Sequence, residues 1–379
     1  MSADLDIVIA GGGIVGAFCA CKAAREGLSV AVLERESRFA EGATGRNSGV
    51  LHAGIYYKPG SNKALMCVEG NRESYRLAAL WQAPHRRCGK LIVALDREEE
   101  AQVEELKRRG EANGVEGLKL VGRDRIAGME PHAAGSFALL SPNTGIIDQP
   151  SWFKAVRAQA EAAGAMFLSR TEVVGVDIHQ NGVTVHTAGR DRVSARGFIN
   201  ATGINAAALA SAMGFDEFRA MPVRGGYATI IPRRASLVRG LLYPVPSTRL
   251  SLGVHLTRTM GDEVLVGPTA EPLPAEAAAL DQDKATPYLR EAAQLPPLAD
   301  FLASARPLLP ALELDDLRHG YFGIRAKVVR SNGEMVEDFT FARHPGAPHV
   351  LHLLGFDSPA FTSAPAIADR VLTMMRDAL

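Results

Sequence analysis

Asp6-Ile7-Val8-Ile9-Ala10-Gly11-Gly12-Gly13-Ile14-Val15-Gly16 starts as an apolar run and ends as a glycine turn. A short apolar run bounded by glycines reads as a buried parallel strand. Gly11, Gly13 and Gly16 fill the three glycine positions of GxGxxG, and a helical stretch from Ala17 to Glu26 follows, ended by Gly27. Ser29-Val30-Ala31-Val32-Leu33 reads as a second strand, closing on Glu34. In such a strand–helix–strand unit the first glycine makes the tight turn, the second lets backbone approach a pyrophosphate, and the third lets helix and strand pack closely. The helix start, with Ile14 and Val15, offers free N–H groups and a positive dipole end to the phosphates. Glu34 lies 34 − 11 = 23 residues after the first glycine, where a carboxylate accepts bonds from the ribose hydroxyls of an adenosine. The same carboxylate would repel a ribose phosphate, which argues against NADP.

The stretch after Glu34 narrows the choice of dinucleotide. Gly42-Ala43-Thr44-Gly45-Arg46-Asn47-Ser48-Gly49-Val50-Leu51-His52-Ala53-Gly54 is rich in small residues and in hydroxyl or amide donors. It can lie along an extended cofactor, with Thr44, Arg46, Asn47, Ser48 and Gly49 as contacts; a loop this long is uncommon in a compact domain unless functional.

Composition sets outer limits. The chain has 379 residues, 47% of them hydrophobic and 22% charged, enough to bury a large core in two or three structural units. Lys plus Arg and Asp plus Glu are both 42, so the net charge is zero and a general nucleic-acid binder is not expected. Cys19, Cys21, Cys67 and Cys88 form no CxxC pair, so neither a disulfide framework nor a structural metal site is expected. Asp4 and Asp6 stand where a secretion signal would need positive charge, and no run reaches the ~18 apolar residues of a spanning helix. The expected localisation is cytoplasmic, with a peripheral contact at the inner membrane left open.

Beyond residue 90 the text is mixed. Asp96 to Gly110 reads as a surface helix and Trp152 to Ala163 as a helix closed by Gly164. Strands are expected at Met166 to Leu168, Glu172 to Val176, Val183 to His186 and Arg196 to Ala201, the last running into the Thr202-Gly203 turn. From Pro222 to Gly267 strands and turn residues alternate: Tyr227 to Ile231, Leu241 to Tyr243, Leu252 to Leu256, with His255 in mid-strand, and Val264 to Val266. Val350 to Leu354 reads as a strand, Gly355 to Ser363 as a loop, and Ala366 to Asp377 as a helix with Pro365 in its first turn and Thr362 or Ser363 as cap.

The chain resembles the FAD-dependent oxidoreductases of the D-amino-acid oxidase and glycerol-3-phosphate dehydrogenase superfamily, and within it the L-2-hydroxyglutarate dehydrogenases and oxidases. The stretch from Arg46 to Ser61 carries the likeness. It continues in Cys88-Gly89-Lys90-Leu91-Ile92-Val93-Ala94, Ser141-Pro142-Asn143-Thr144-Gly145-Ile146 and Asn200-Ala201-Thr202-Gly203. Later matches are Leu252 to Arg258, Gly323-Ile324-Arg325-Ala326-Lys327 and Gly355-Phe356-Asp357-Ser358-Pro359. It departs at Gly226, where the family carries an acid, and at Ala360-Phe361, where Gly-Leu is usual.

The resemblance implies an α/β (α+β) fold: a Rossmann-like FAD-binding domain from 1–85, 141–220 and 320–379, with a discontinuous antiparallel-sheet substrate domain from 86–140 and 221–319. It implies FAD as cofactor, held also by Arg35, Val173, Ala201, Thr202, Gly203 and Arg325. The C-terminal segment Gly355, Asp357, Ser358, Pro359, Ala360, Phe361 and Thr362 would border the flavin, where a helix N-terminus stabilises negative charge. A cysteinyl flavin link near the C-terminus is not expected, because no cysteine follows Cys88.

Oxidising a secondary alcohol needs a hydride acceptor, supplied by the flavin, and a base for the hydroxyl proton. Histidine suits the base. His255 is the first expectation and His52 the second, the latter to orient substrate or bond the flavin. A 2-hydroxy acid also needs its carboxylate held, a task for Arg325 and Lys327; Arg258 and Lys58 are expected near a second carboxylate, with Tyr56 and Tyr57 lining the pocket. The expected substrate is a small 2-hydroxy acid, L-2-hydroxyglutarate first, and the electron acceptor oxygen or a quinone. The alternative is an FAD-dependent amine oxidase acting on a D-amino acid or a secondary amine.

Overall fold

The computed structural model describes residues 4–246, 252–280 and 282–379. Leu5–Ala10 is buried along nearly all its length and has a parallel neighbour on each side, Ile7 facing Val30 in one and Gly197 in the other. A strand with no solvent face has no reason to alternate, so its text is apolar throughout. The parallel order runs Met166–Leu168, Val30–Leu33, Leu5–Ala10, Arg192–Asn200, Ala347–Leu354. Antiparallel neighbours extend it: the hairpin of Val173–His179 and Gly182–Thr187 beside Arg192–Asn200, and Thr340–His344 beside Ala347–Leu354. The Rossmann-like unit expected from the glycine turn is present.

Helices Ile14–Arg25, Asn62–Leu80, Gln149–Ala162 and Ala360–Arg376 cover one face of this sheet around Ile7, Ile9, Phe18, Trp152 and Ile367. Asn62–Leu80 was not legible in the sequence, where Gly70 interrupts a weak apolar pattern. A Cβ at Gly70 would sit 2.5 Å from the Thr362 carbonyl oxygen, so the glycine lets two helix backbones touch. The last helix also differs from expectation. It begins at Ala360, with Pro359 at its N-cap and no side-chain cap, so Pro365 lies inside the helix and neither Thr362 nor Ser363 caps it. The Thr362 hydroxyl instead accepts from His52 N at 3.0 Å and donates to Val50 O at 3.2 Å, tying the helix to the 50–52 segment.

A second, nine-stranded sheet forms around Phe218–Ile230. Its strands are antiparallel apart from Leu241–Pro244, which runs parallel to Lys90–Ala94. Leu317–Arg330 pairs with Phe218–Ile230 from Leu317 opposite Ile230 to Arg330 opposite Phe218. The strand carrying Arg325 and Lys327 therefore belongs to this sheet, whereas the sequence division at 320 had put it with the nucleotide-binding part. His255 is the first residue of His255–Arg258, not a mid-strand residue. No helix among the described residues is long and apolar enough to cross a membrane.

Candidate active site

One continuous cavity of about 2400 Å³ runs from Gly11, Gly13 and Glu34 to His255 and Arg325 between the two sheets. Its first end is built by the glycine turn. Gly11 adopts φ +108°, and a Cβ there would sit 2.3 Å from the Ala201 oxygen. A Cβ on Gly16 would sit 2.1 Å from the Gly11 oxygen, so helix and turn pack with no room for a methyl group. Glu34 is anchored by its own backbone surroundings: Gly12 N donates to Oε2 at 2.8 Å and Glu36 N to Oε1 at 2.9 Å. A carboxylate has about four acceptor sites, so two remain for hydroxyls. Ile14 N donates to Thr44 Oγ1 at 3.0 Å, which pins the 42–49 segment over the helix start.

Midway lies a buried charge cluster. Asp357 receives Lys63 Nζ at 2.6 Å on one oxygen and Lys327 Nζ at 2.9 Å on the other. Burial pushes the Asp357 carboxyl up, but the two ammonium groups outweigh it and hold the group below the usual carboxylate range. The cluster carries one surplus positive charge beside Ser358, Pro359 and the start of the last helix.

At the far end His255 lines the cavity and is buried. Its Nδ1 lies 2.9 Å from the Gly253 oxygen, which can only accept; Nδ1 therefore carries the proton and Nε2 the lone pair. Burial first, then the electrostatic influence of the neighbouring His52, Lys90 and Arg325, push the imidazole down to about 3, against the lift from the Gly253 bond. His52 is likewise held at about 3 by burial and by Lys90, and its Nδ1 is enclosed with no hydrogen-bond partner among the described residues. Both rings are neutral at ordinary pH.

Arg325 donates to the Thr269 oxygen at 3.1 and 3.0 Å from its two terminal nitrogens. Among the described residues no carboxylate pairs with it. A Cβ at Gly225 would lie 3.1 Å from both nitrogens, so that glycine makes the space the guanidinium fills. Tyr227, packed against Tyr321 with ring centres 4.8 Å apart and planes tilted at 32°, closes the wall beside Arg325.

Nearly all the expected residues meet here. Ile14, Val15, Arg35, Arg46, Asn47, Ser48, Val173, Ala201, Thr202 and Gly203 line the cavity, as do Tyr56, Tyr57, Lys58, Ala360 and Phe361. Gly16, Gly49, Gly355 and Thr362 stand behind the lining. One expectation is corrected. Arg258 bonds Asp262 and the carbonyls of Ala235 and Val238, away from the cavity. Lys327 lines the cavity with Asp357 as its ion-pair partner. Sequence reasoning missed Lys63 and Tyr227. Lys63 lies two residues beyond the quoted stretch ending at Ser61, but its partner Asp357 is 294 residues away, and no local pattern announces such a pair.

The residues fit FAD on structural grounds: an extended cavity, a glycine turn with no room for side chains, a partly open acceptor at Glu34, and an enclosed His52 nitrogen without a partner among the described residues.

Comparison with known proteins agrees. The sequence profile of the family described as FAD dependent oxidoreductase matches residues 6–373. A mitochondrial L-2-hydroxyglutarate dehydrogenase of Mus musculus is 32% identical, covering 94% of this chain and 85% of its own length. The L-2-hydroxyglutarate dehydrogenase of Escherichia coli (strain K12) is 31% identical, over 99% and 94%. Among solved structures, the FAD-bound, dithionite-reduced L-alpha-glycerophosphate oxidase of Mycoplasma pneumoniae superposes with TM-score 0.85 at 23% identity, over 99% of this chain and 95% of that one. A glycine oxidase of Geobacillus kaustophilus gives TM-score 0.80 at 20% identity, over 99% and 95%. These last two likenesses establish the fold alone.

Proposed function

The chain belongs to the FAD-dependent oxidoreductase family, and from that premise we propose that it oxidises a 2-hydroxy acid to the 2-oxo acid, with L-2-hydroxyglutarate as substrate and 2-oxoglutarate as product. The observation that carries the reading is the pairing of His255, a neutral base with its lone pair on Nε2, with Arg325, a buried cation that has no carboxylate partner among the described residues.

In this reading Arg325 takes the carboxylate next to the hydroxyl-bearing carbon, using donors already aimed from a rigid strand. His255 Nε2 accepts the hydroxyl proton; burial keeps the ring neutral beforehand, so that nitrogen is unprotonated and available. FAD, when bound, supplies the acceptor for the hydride. Gly11, Gly13 and Glu34 hold the dinucleotide; His52 Nδ1 gains the partner it lacks from flavin or substrate. The Lys63–Asp357–Lys327 cluster supplies positive potential beside the flavin end of the last helix, favouring added negative charge there. Tyr56 and Tyr57 close the pocket against water, and Lys58 stands near a distal carboxylate. Electrons then pass to oxygen or a quinone.

The test is anaerobic mixing of flavin-loaded protein with L-2-hydroxyglutarate, its D-enantiomer, other 2-hydroxy acids and amino acids. Bleaching of the visible flavin band by the L-2-hydroxy acid is expected. Bleaching by amines alone would overturn the reading.

A further inference from the structure

Lys90 is among the largest fully buried side chains of the protein, only 1% exposed, at the start of Lys90–Ala94. Among the described residues it has no carboxylate partner within salt-bridge distance; its Nζ donates to the Tyr56 hydroxyl at 3.1 Å. The ammonium lies over two rings, 4.4 Å from the centre of Tyr56 and 4.6 Å from that of Tyr243. Tyr243 in turn stacks on His255, with ring centres 3.8 Å apart and planes at 15°. Tyr56 and His255 line the cavity, whereas Lys90 and Tyr243 lie behind them. A buried cation held, among the described residues, by π-faces and a phenol is costly to keep, and that cost points to a charge arriving from outside.

We propose that Lys90 is a positioning residue for the reaction, acting through Tyr243 on the His255 base, and that its charge is balanced by the carboxylates of the bound hydroxy acid. The inference rests on the proposed function. Register fixes the arrangement: Lys90 is paired with Leu241, and Tyr243 two residues on shows the same face as Leu241, beside Lys90. The strand Leu241–Pro244 is paired with His255–Arg258 through Leu242 opposite Leu256, which stacks the imidazole on the tyrosine. The titratable groups around Lys90 are His52, Tyr56, Cys67 on Asn62–Leu80, Tyr243 and His255, and none of them supplies a negative charge at neutral pH. Burial lowers the ammonium to about 7, so the empty site keeps it close to losing its proton. An entering dianion restores it. Substrate binding and protonation of Lys90 are therefore linked, each strengthening the other.

The experiment measures kcat/KM for L-2-hydroxyglutarate with full-length, flavin-loaded protein between about pH 6 and pH 9. The wild type should lose kcat/KM on the alkaline side as free Lys90 deprotonates. Lys90→Met and Lys90→Gln should lack that limb and fall about tenfold or more at pH 6, with kcat lowered as well as KM raised. Removing an unpaired buried charge should leave the protein folded. A second measurement needs only the wild type: calorimetry of 2-oxoglutarate binding near pH 8 in buffers of different ionisation enthalpy, where proton uptake is expected. An alkaline limb retained in both variants, or binding without proton uptake, overturns the role of Lys90 alone. A wild-type flavin that no 2-hydroxy acid reduces overturns the proposed function together with it.

Discussion

Arg325 and Lys327 stand two residues apart on one strand and therefore on one face, yet among the described residues only Lys327 is paired with a carboxylate, Asp357 at 2.9 Å. Arg325 is left with carbonyl oxygens for partners. The strand thus presents one cation paired with Asp357 and, two residues away, one that among the described residues meets only carbonyl oxygens.

Arg325→Met should lower kcat/KM for the hydroxy acid by roughly ten- to a hundredfold for the loss of charged hydrogen bonds, while the flavin stays bound. Gly225→Ala places a methyl group 3.1 Å from both guanidinium nitrogens and should raise KM in the same direction with a milder effect. Steady-state kinetics on flavin-loaded variants check both; an unchanged KM in Arg325→Met would remove Arg325 from the substrate.

Asp357→Asn leaves Lys63 and Lys327 buried without their shared carboxylate. Removing one member of a buried ion cluster costs about 3–5 kcal/mol. Thermal unfolding should show a large drop in midpoint and a loss of flavin. A variant as stable as the wild type would mean that the cluster is well solvated.

Acid should destabilise the protein through its buried neutral histidines. Burial holds His52, His255 and His352 near 3, against about 6.5 when unfolded. The unfolded chain therefore binds more protons between these values, so the stability of the neutral rings is complete above about pH 6.5 and is lost as pH falls toward about 3. His352 sits outside the site, accepting from Asn200 Nδ2 at 3.1 Å and stacked on Phe215. His352→Gln should flatten the slope of stability against pH by up to about 1.4 kcal/mol per unit in that window. Urea unfolding at several pH values reads the slope directly, and a slope equal to wild type would count against a neutral His352.

Gly16→Ala would push a methyl group to 2.1 Å from the Gly11 oxygen. The turn must open, and the expected product is protein without flavin. Visible absorbance after purification decides it.

The nucleotide-binding end was readable because it is local: strand, glycine turn, helix and acid fall within thirty residues, and each follows from backbone sterics. Two elements that bear on the site were not readable. Leu317–Arg330 carries Arg318, His319, Arg325, Lys327 and Arg330, so its charges hide a strand that is only partly buried. Asn62–Leu80 carries Gly70, which lowers helix propensity and is needed where the helix touches Thr362. Both concessions serve contacts far away in sequence. The same holds for Lys63 with Asp357, and for the Lys90–Tyr243–His255 stack, which joins three strands. The family resemblance carried the expectation of His255 and Arg325 that residue spacing alone would not have given.

The most direct test is anaerobic stopped-flow reduction of flavin-loaded wild type and His255→Asn by L-2-hydroxyglutarate. The account predicts rapid reduction of the wild type and a rate about 10²–10⁴ lower in the variant, with 2-oxoglutarate still bound. Equal reduction rates would contradict the assignment of His255 as base.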